Sequence, residues 1–205
     1  MRSLRKIVES YRSVGERGPS ATLATVVAGD GPGHPSVGSR MLLIEGGHHS
    51  GLIGSDALHH ELHEAARQAD AKHHPRTLGF STAGSPAQRV REGIGQTVEV
   101  LLEPLSGRPD APAIAVLEHC LDRRLGVSQA TVFAAREGCP ADVGDRLAID
   151  ETGEVLAAPA SSEVREALER AMERLPGAVP ASASRIELSG EKVDVLLERI
   201  EPPIG

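Results

Sequence analysis

Aromatic side chains are nearly absent from this chain of 205 residues. It has no Trp, and its only Tyr and Phe residues are Tyr11, Phe80 and Phe133. A general nucleic-acid-binding protein needs rings on which bases stack and a basic surface for the phosphates. This chain offers neither, because its net charge is −7 at pH 7. The scarcity of rings also excludes an aromatic cage for a cation. A ligand therefore has to be held by aliphatic packing, backbone groups and polar side chains.

Long apolar runs and cysteines are scarce as well. No stretch approaches the roughly 18 apolar residues of a membrane-spanning helix, and the charged segment 1–11 lacks the apolar core of a secretory signal. The two cysteines, Cys120 and Cys139, form no metal or redox motif, and we expect Cys120 to pack in a helix as a small hydrophobe. These features predict a cytoplasmic protein without a membrane span or a disulfide framework.

An internal repeat is the strongest feature that the sequence does contain. Residues 24–47 resemble residues 130–153 at an offset of 106, and each half then ends in nearly the same run, VEVLLE from Val98 and VDVLLE from Val193. Two matched segments in the same order favour duplication of one module. The identical pairs include Ala24/Ala130, Thr25/Thr131, Val26/Val132, Ala28/Ala134, Val37/Val143, Gly38/Gly144 and Arg40/Arg146.

The repeat predicts a first module over residues 1–108 and a second over residues 109–205, with the run SGRPDAP from Ser106 at the boundary. Packing of both modules into one compact domain is the alternative. Each module contains two amphipathic helices and several strands. We predict an α/β or α+β fold in which two similar helix–strand modules surround a mixed sheet. The expected strands include 21–28, 40–44, 76–81 and 97–102, and then 129–135, 146–149, 184–188 and 192–197.

These segments resemble the XdhC/CoxI family, accessory proteins of xanthine and carbon monoxide dehydrogenases. The resemblance rests on ATLATVV from Ala21, V-G-S-R-M from Val37 and GQTVEVLLEPL from Gly95, and it extends to VDVLLERIEPP in the second half. It implies a non-catalytic accessory protein that binds molybdenum cofactor of the molybdopterin type. It also implies that the protein helps the cofactor to become sulfurated and delivers it to a partner. That partner would be a molybdenum hydroxylase or its maturation machinery. Self-association is left open.

The sequence departs from the family pattern in two respects. Where the family has cysteines, in a Gly-Gly-Cys turn and before the last strand, this chain has Ala57 and a residue near Ile94. The family also continues after the double proline into a Rossmann domain, whereas this sequence ends shortly after Pro202 and Pro203. Since no G-x-G-x-x-G follows a predicted strand, we expect no NAD binding. Because the family cysteines are missing, a thiol-dependent role is less well supported than a binding role.

The duplicated V-G-x-R loop is the candidate ligand site. Gly38 permits the chain reversal, and Arg40 offers a planar, permanently charged fork for a carboxylate or phosphate. Ser55 and Asp56 lie where a strand turns into a helix, so backbone N–H groups are available there. The alternative is structural, with Arg40 bridged to an acidic neighbour and Ser55 as a helix N-cap. The predicted cofactor-binding residues are Gly38, Arg40, Ser55, Asp56, Gly95 and Gln96.

Eight of the nine histidines lie in residues 34–74, which raises a second hypothesis. Asp56, His59 and His63 have the i, i+3, i+7 spacing of one helix face, and a small metal-dependent enzyme could use them as ligands. Helical geometry, however, places this face opposite the apolar stripe. We therefore predict a solvated face and assign neither a metal ligand nor a catalytic residue. A purely structural assembly subunit is the third hypothesis.

Overall fold

The computed structural model describes residues 2–15, 18–29, 35–54, 56–81, 97–105, 111–175 and 180–203. This part of the chain forms four α-helices and ten β-strands. The prediction of an α+β protein with two similar helix–strand modules is thereby confirmed. A helix long and apolar enough to cross a membrane is not found among these residues. The predicted module boundary falls at residues 106–110, outside the described part.

The helices and strands follow one another in the same order in the two halves. The first half contains α1 (Arg2–Val14), β1 (Ala21–Gly29), β2 (Arg40–Ile44), β3 (His48–Gly51), α2 (Asp56–Lys72), β4 (Arg76–Ser81) and β5 (Thr97–Pro104). The second half contains α3 (Pro112–Arg123), β6 (Val127–Ala134), β7 (Arg146–Asp150), β8 (Val155–Ala157), α4 (Ser162–Met172), β9 (Ala181–Leu188) and β10 (Glu191–Ile200).

The strands form two sheets of five, and both sheets have the same strand order. The first sheet is β3-β2-β1-β5-β4 and the second is β8-β7-β6-β10-β9. Each strand pair in both sheets is antiparallel. The structure therefore corrects one detail of the prediction, because two antiparallel sheets stand in place of a single mixed sheet. Antiparallel pairing follows from the short turns that join β2 to β3 and β9 to β10.

One helix covers the outer face of each sheet. On the first sheet, α2 packs Leu58 and Leu62 against Val100 in one buried cluster. On the second, α4 packs Val164 and Leu168 in the same way. Ser161 is the N-cap of α4, because its side chain accepts a hydrogen bond from the backbone N–H of Val164 at 3.4 Å. Each sheet thus buries its outer face beneath a helix of its own half.

The other two helices join the halves. Ile7 of α1 and Ile114 and Leu117 of α3 belong to one buried cluster that also contains residues of both sheets. Arg12 strengthens the helix pair by donating to Glu118 at 2.9 Å and to Asp122 at 2.6 Å. The first and second sheets consequently share a core.

A second shared cluster lies where β1, β5, β6 and β10 face one another, and it is built from Val27, Leu101, Phe133 and Leu196. Val27 and Phe133 each occupy the position at which the strand register shifts. A bulge of this kind redirects the side chain of the extra residue. Both bulged residues are buried between the sheets, so the shift places an apolar side chain at the same point in each half.

The three Tyr and Phe residues are used in packing. Phe80 and Phe133 are buried, and Tyr11 is half-buried against the helix cluster. Among the residues described, no Phe or Tyr ring is left exposed as a stacking surface for a ligand.

Candidate functional site

The loop before β2 is fixed by Gly38. The Gly38 N–H donates to the Val26 carbonyl at 2.8 Å, and the Val26 N–H donates to the Ser39 carbonyl at 2.9 Å. Gly38 has a φ of +85°, and a Cβ at this position would lie 2.9 Å from the Cβ of Ala181 and 3.2 Å from Glu198 Oε1. Glycine is therefore required both by the backbone conformation and by the close approach of the second sheet.

Arg40 bridges the two sheets. Its Nη2 donates to Glu198 Oε2 at 2.6 Å, and its Nη1 donates to the Gly38 carbonyl at 3.1 Å. Gln129 Nε2 donates to the same oxygen of Glu198 at 2.5 Å. The Arg40 side chain is 11% exposed and that of Glu198 is 3% exposed. We call Gly38, Arg40 and Glu198 the first joint.

The corresponding residues of the other half form a second joint, Gly144, Arg146 and Glu103. Gly144 has a φ of +98°, and a Cβ there would lie 2.7 Å from Cγ of Pro75 in the first half. Arg146 Nη2 donates to both carboxylate oxygens of Glu103 at 3.1 Å, and its Nε donates to Thr131 Oγ1 at 3.0 Å. The side chains of Arg146 and Glu103 are 5% and 7% exposed.

The two joints are thus reciprocal. In each, an arginine that ends the Gly-containing loop of one half pairs with the glutamate near the end of the last strand of the other half. Such charges must be paired when they leave water, since an unpaired buried charge is strongly destabilising. Arg40 is therefore bridged to an acidic residue, as the structural alternative for this position predicted.

A groove of about 540 Å³ opens beside the first joint. Its apolar walls include Leu4, Ile7 and Leu52, and the Leu52 side chain is unusual in being 67% exposed. The polar groups of the groove are those of Ser39, Arg40, Glu198, Arg199 and Glu201. The volume and the combination of apolar walls with a few polar groups are typical of a small-molecule site.

Arg199 is the more accessible cation of the groove. It contacts Glu201 at 2.9 Å and Glu151 at 3.7 Å, and about half of each of these side chains is exposed. An exposed ion pair contributes little to stability and exchanges readily with solvent or ligand. Arg199 can therefore exchange its carboxylate partners, Glu151 and Glu201, for an incoming anion more easily than Arg40 can exchange Glu198.

The structure places only part of the predicted cofactor-binding set. Gly38 and Arg40 lie together in the first joint and line the groove. Asp56 begins α2, but its side chain is not among those described. Ser55, Gly95 and Gln96 lie outside the described residues.

Sequence reasoning missed Glu198, Gln129 and Arg199. A clue to the first was present, because Glu103 and Glu198 end the two matched runs VEVLLE and VDVLLE, just as Arg40 and Arg146 end the matched loops. Two repeated cations and two repeated anions in one chain favour pairing between the halves. Nothing comparable in the sequence indicated Gln129 or Arg199.

The histidine-rich face of α2 differs from the prediction of a solvated surface. His59 is only 7% exposed, because the ring of His49 in β3 covers it at a centroid distance of 4.9 Å. His63 is half-buried, with its ring 5.9 Å from that of His49. Burial, followed by the charges of neighbouring histidines such as His49, lowers the pKa of His63. The prediction of an outward face is therefore wrong at His59.

A smaller cavity of about 230 Å³ lies next to these histidines, between α2 and the turn after β2. The histidines do not form a compact ligand set, however. Within the described ranges, His49, His59 and His63 do not bring ligand atoms within 4.8 Å of one another. Asp56, the third member of the predicted set with His59 and His63, has a side chain outside the described residues, so the metal-dependent hypothesis stays a prediction.

The buried thiol of Cys120 packs as the sequence predicted. Its Sγ lies 3.7 Å from the carbonyl oxygen of Ile200, and burial raises the pKa of the thiol to about 11. A thiol with so high a pKa is protonated at neutral pH and is a poor nucleophile. Cys120 is therefore part of the core.

The described part of the chain thus consists of two reciprocally joined antiparallel sheets with a groove at one joint. Residues 15–81 match the model of the XdhC and CoxI family, which confirms the resemblance found in the sequence and locates it between α1 and the end of β4. No curated protein sequence matches the chain.

The fold is similar to that of a solved structure, a xanthine dehydrogenase from Bacillus halodurans. The TM-score is 0.64 at 16% sequence identity, and the alignment covers 96% of this chain and 53% of the other. At this level of identity the likeness establishes the fold alone. The chain spans about half the length of that structure.

Proposed function

We propose that this protein is a non-catalytic accessory factor for a molybdenum hydroxylase, and that it binds a molybdopterin-type cofactor in the groove beside the first joint. The observation that carries the proposal is the position of the groove. It is lined by the loop of Gly38 and Arg40, and this loop lies inside the segment that matches the XdhC and CoxI family model.

The residues of the groove fit the polar parts of such a cofactor. Ser39 and Arg199 can donate hydrogen bonds and Glu201 can accept them, which suits a pterin ring with both donors and acceptors on its edge. Arg199 also offers a guanidinium for the phosphate. A pterin would lie against aliphatic walls, because the groove is lined by Leu4, Ile7 and Leu52 and by no aromatic ring.

Arg40 has a different role in this proposal from the one that its sequence position predicted. Glu198 and the Gly38 carbonyl already accept hydrogen bonds from two of its five N–H groups, so in this proposal Arg40 holds the loop while Ser39 and Arg199 contact the ligand. Ser55, Asp56, Gly95 and Gln96 remain proposed cofactor contacts. The acidic carboxylate of Asp56 would suit the ring nitrogens of the pterin.

Molybdenum chemistry is supplied by the cofactor and the hydroxylase, and the chain contributes binding. The groove is lined by no cysteine, and the Cys120 thiol is buried elsewhere. We therefore assign no sulfur-transfer step to this chain. The exposed side chain of Leu52 at the edge of the groove is the proposed contact for the partner enzyme.

Cofactor capture in a molybdenum-competent host tests the proposal. The full chain is purified anaerobically, and its pterin is measured by fluorescence after oxidation and its molybdenum by elemental analysis. We expect both to co-purify with the wild-type protein and to fall at least about fivefold in Arg199→Ala, since an arginine contact to phosphate contributes more than 1 kcal/mol. Arg185→Ala removes an arginine that is also exposed and paired on a β-strand but is not among the described residues that line the groove, and it should retain the cofactor.

Two results would overturn this assignment. The wild-type protein could contain neither pterin nor molybdenum and fail to bind added cofactor. Alternatively, Arg199→Ala and Arg185→Ala could retain equal amounts. The first result favours the purely structural hypothesis, which the saturated ion pairs of both joints also support. The second places the cofactor outside the groove.

A further inference from the structure

A cluster of three potential metal ligands lies outside the set of described residues that line the groove, where α3 crosses the turn between β7 and β8. His119 of α3, Asp150 at the end of β7 and Glu154 before β8 bring one ligand atom each to within 4.8 Å of one another. Among the described residues, this is the group of three His, Cys, Asp or Glu side chains whose ligand atoms lie that close together.

Asp150 is held rigidly and is ionised. Its Oδ1 accepts hydrogen bonds from the Thr152 N–H at 2.8 Å, the Thr152 hydroxyl at 2.6 Å and the Glu154 N–H at 3.0 Å. The bond from the Thr152 hydroxyl is the largest cause of a pKa lowered to about 2. The side chain is fully buried. At neutral pH this turn therefore presents a fixed carboxylate whose second oxygen, Oδ2, faces α3.

The distances fit the coordination of one ion. His119 Nε2 donates a hydrogen bond to Asp150 Oδ2 at 3.0 Å, and a bound ion would take the place of the shared proton. Metal–ligand bonds of about 2.0–2.1 Å place two adjacent ligand atoms about 2.9 Å apart at right angles and about 3.4 Å apart in a tetrahedron. Glu154 is exposed, and its backbone N–H is bonded to Asp150 Oδ1, which keeps its carboxylate near the other two ligands.

The first half of the molecule shows that the turn does not require this cluster. At the matching positions, Ile44 and His48 replace Asp150 and Glu154. There the turn between β2 and β3 is made with Gly46 and Gly47, both at positive φ. The hydrogen bonds to Oδ1 explain how Asp150 shapes its own turn. They do not explain the pairing of Oδ2 with His119 or the placement of the Glu154 carboxylate beside them.

We propose that His119 Nε2, Asp150 Oδ2 and the Glu154 carboxylate bind a divalent cation of the zinc type, which fastens α3 to the β7–β8 turn. Imidazole and carboxylate are ligands that zinc accepts. Two carboxylates balance the charge of the ion, and the hydrogen bonds to Oδ1 orient Asp150 from outside the coordination shell. Solvent fills the remaining positions, since His119 and Glu154 are not fully buried.

Titration of the metal-free full chain with zinc chloride tests this site. Binding is followed by calorimetry and by the shift in Tm, because a ligand that binds only the folded state raises Tm. We expect zinc to raise the Tm of the wild type. In Glu154→Gln and His119→Gln, the affinity of this site should fall about tenfold or more. Glu151→Gln is the matched control, because Glu151 is an exposed carboxylate of the same turn that lies outside the cluster.

The comparison between variants separates this site from the histidines of the first half. Circular dichroism of the metal-free proteins establishes that the variants are folded, and Glu154→Gln is chosen for its exposed position. Loss of the Tm shift in Glu154→Gln and His119→Gln, but not in Glu151→Gln, supports the proposal. Absence of zinc binding in the wild type, or an equal Tm shift in all four proteins, overturns it. Neither result depends on the cofactor proposal.

Discussion

The first and second joints are built from the same residue types, but they differ in the exposure of the arginine, which is 11% for the Arg40 side chain and 5% for that of Arg146. Arg146 and Glu103 of the second joint are both almost inaccessible, and Arg146 makes a further bond to the buried hydroxyl of Thr131. Arg40 of the first joint lies at the edge of the groove and shares its carboxylate partner with Gln129. One joint is therefore closed, and the other borders the space that we propose as the ligand site.

This difference shows how similar halves can take on different tasks. The closed joint can serve as an anchor, because Arg146 and Glu103 are not among the described residues that line the groove. The open joint carries the same interaction at a surface, where a ligand can contact the loop without disturbing the pair. The proposed ligand site thus lies where the two halves depart from symmetry.

The largest expected effect is the removal of the arginine from the closed joint. Arg146→Met leaves the Glu103 carboxylate buried without its cation, which costs about 4 kcal/mol of unfolding free energy. Arg40→Met should cost about half as much, roughly 2 kcal/mol, because Gln129 still donates to Glu198 and water reaches the groove. Urea denaturation of the two variants measures both values.

A double variant identifies the cause of that loss. Arg146→Met combined with Glu103→Leu removes both charges, and replacement of a buried ion pair by apolar side chains is often close to neutral. We expect the double variant to recover most of the lost stability. Equal losses in Arg146→Met and Arg40→Met would contradict the distinction between a closed and an open joint.

The glycines of the two joints provide the second comparison. Gly144→Ala combines a left-handed backbone, which costs about 1–2 kcal/mol, with an overlap against the rigid ring of Pro75, and should destabilise by about 3 kcal/mol in total. Gly38→Ala should cost about 2 kcal/mol, because its neighbour Ala181 borders the groove and can move. Thermal unfolding gives both values.

Rescue variants separate backbone strain from overlap. Ala181→Gly added to Gly38→Ala removes the nearest atom and should restore part of the stability, and Pro75→Ala should do the same for Gly144→Ala. Full tolerance of alanine at either glycine would show that the close approach of the sheets is not enforced at that joint.

Much of the fold could be predicted from the sequence, because strands and helices are determined by local patterns. Strands β2 (Arg40–Ile44) and β4 (Arg76–Ser81) have the predicted bounds. The prediction of a single mixed sheet was wrong for a different reason. The alternation of apolar residues identifies a strand but not its neighbour, and pairing is set by contacts between distant segments.

The candidate site was less accessible to sequence reasoning. Gly38 and Arg40 were identified because they are repeated, but the partner of Arg40 is Glu198, which lies 158 positions away in the chain. The burial of His59 was missed for a similar reason, since the periodicity of α2 does not show that β3 returns to cover that face. Interactions within an element could be predicted, and those between elements could not.

The smallest predicted effect concerns the hydroxyl of Thr131, which accepts a hydrogen bond from Arg146 of the closed joint. Thr131→Val keeps the shape of the side chain and removes the acceptor of the Arg146 Nε bond, so a buried donor loses its partner at a cost of about 1 kcal/mol. The matched change, Thr25→Val, leaves the bonds of Arg40 to Glu198 and Gly38 intact and should cost less. Chemical denaturation of both variants in parallel resolves such a difference. If Thr25→Val proves the more damaging, the closed joint does not owe its greater strength to the extra hydrogen bond, and the contrast between the joints rests on burial alone.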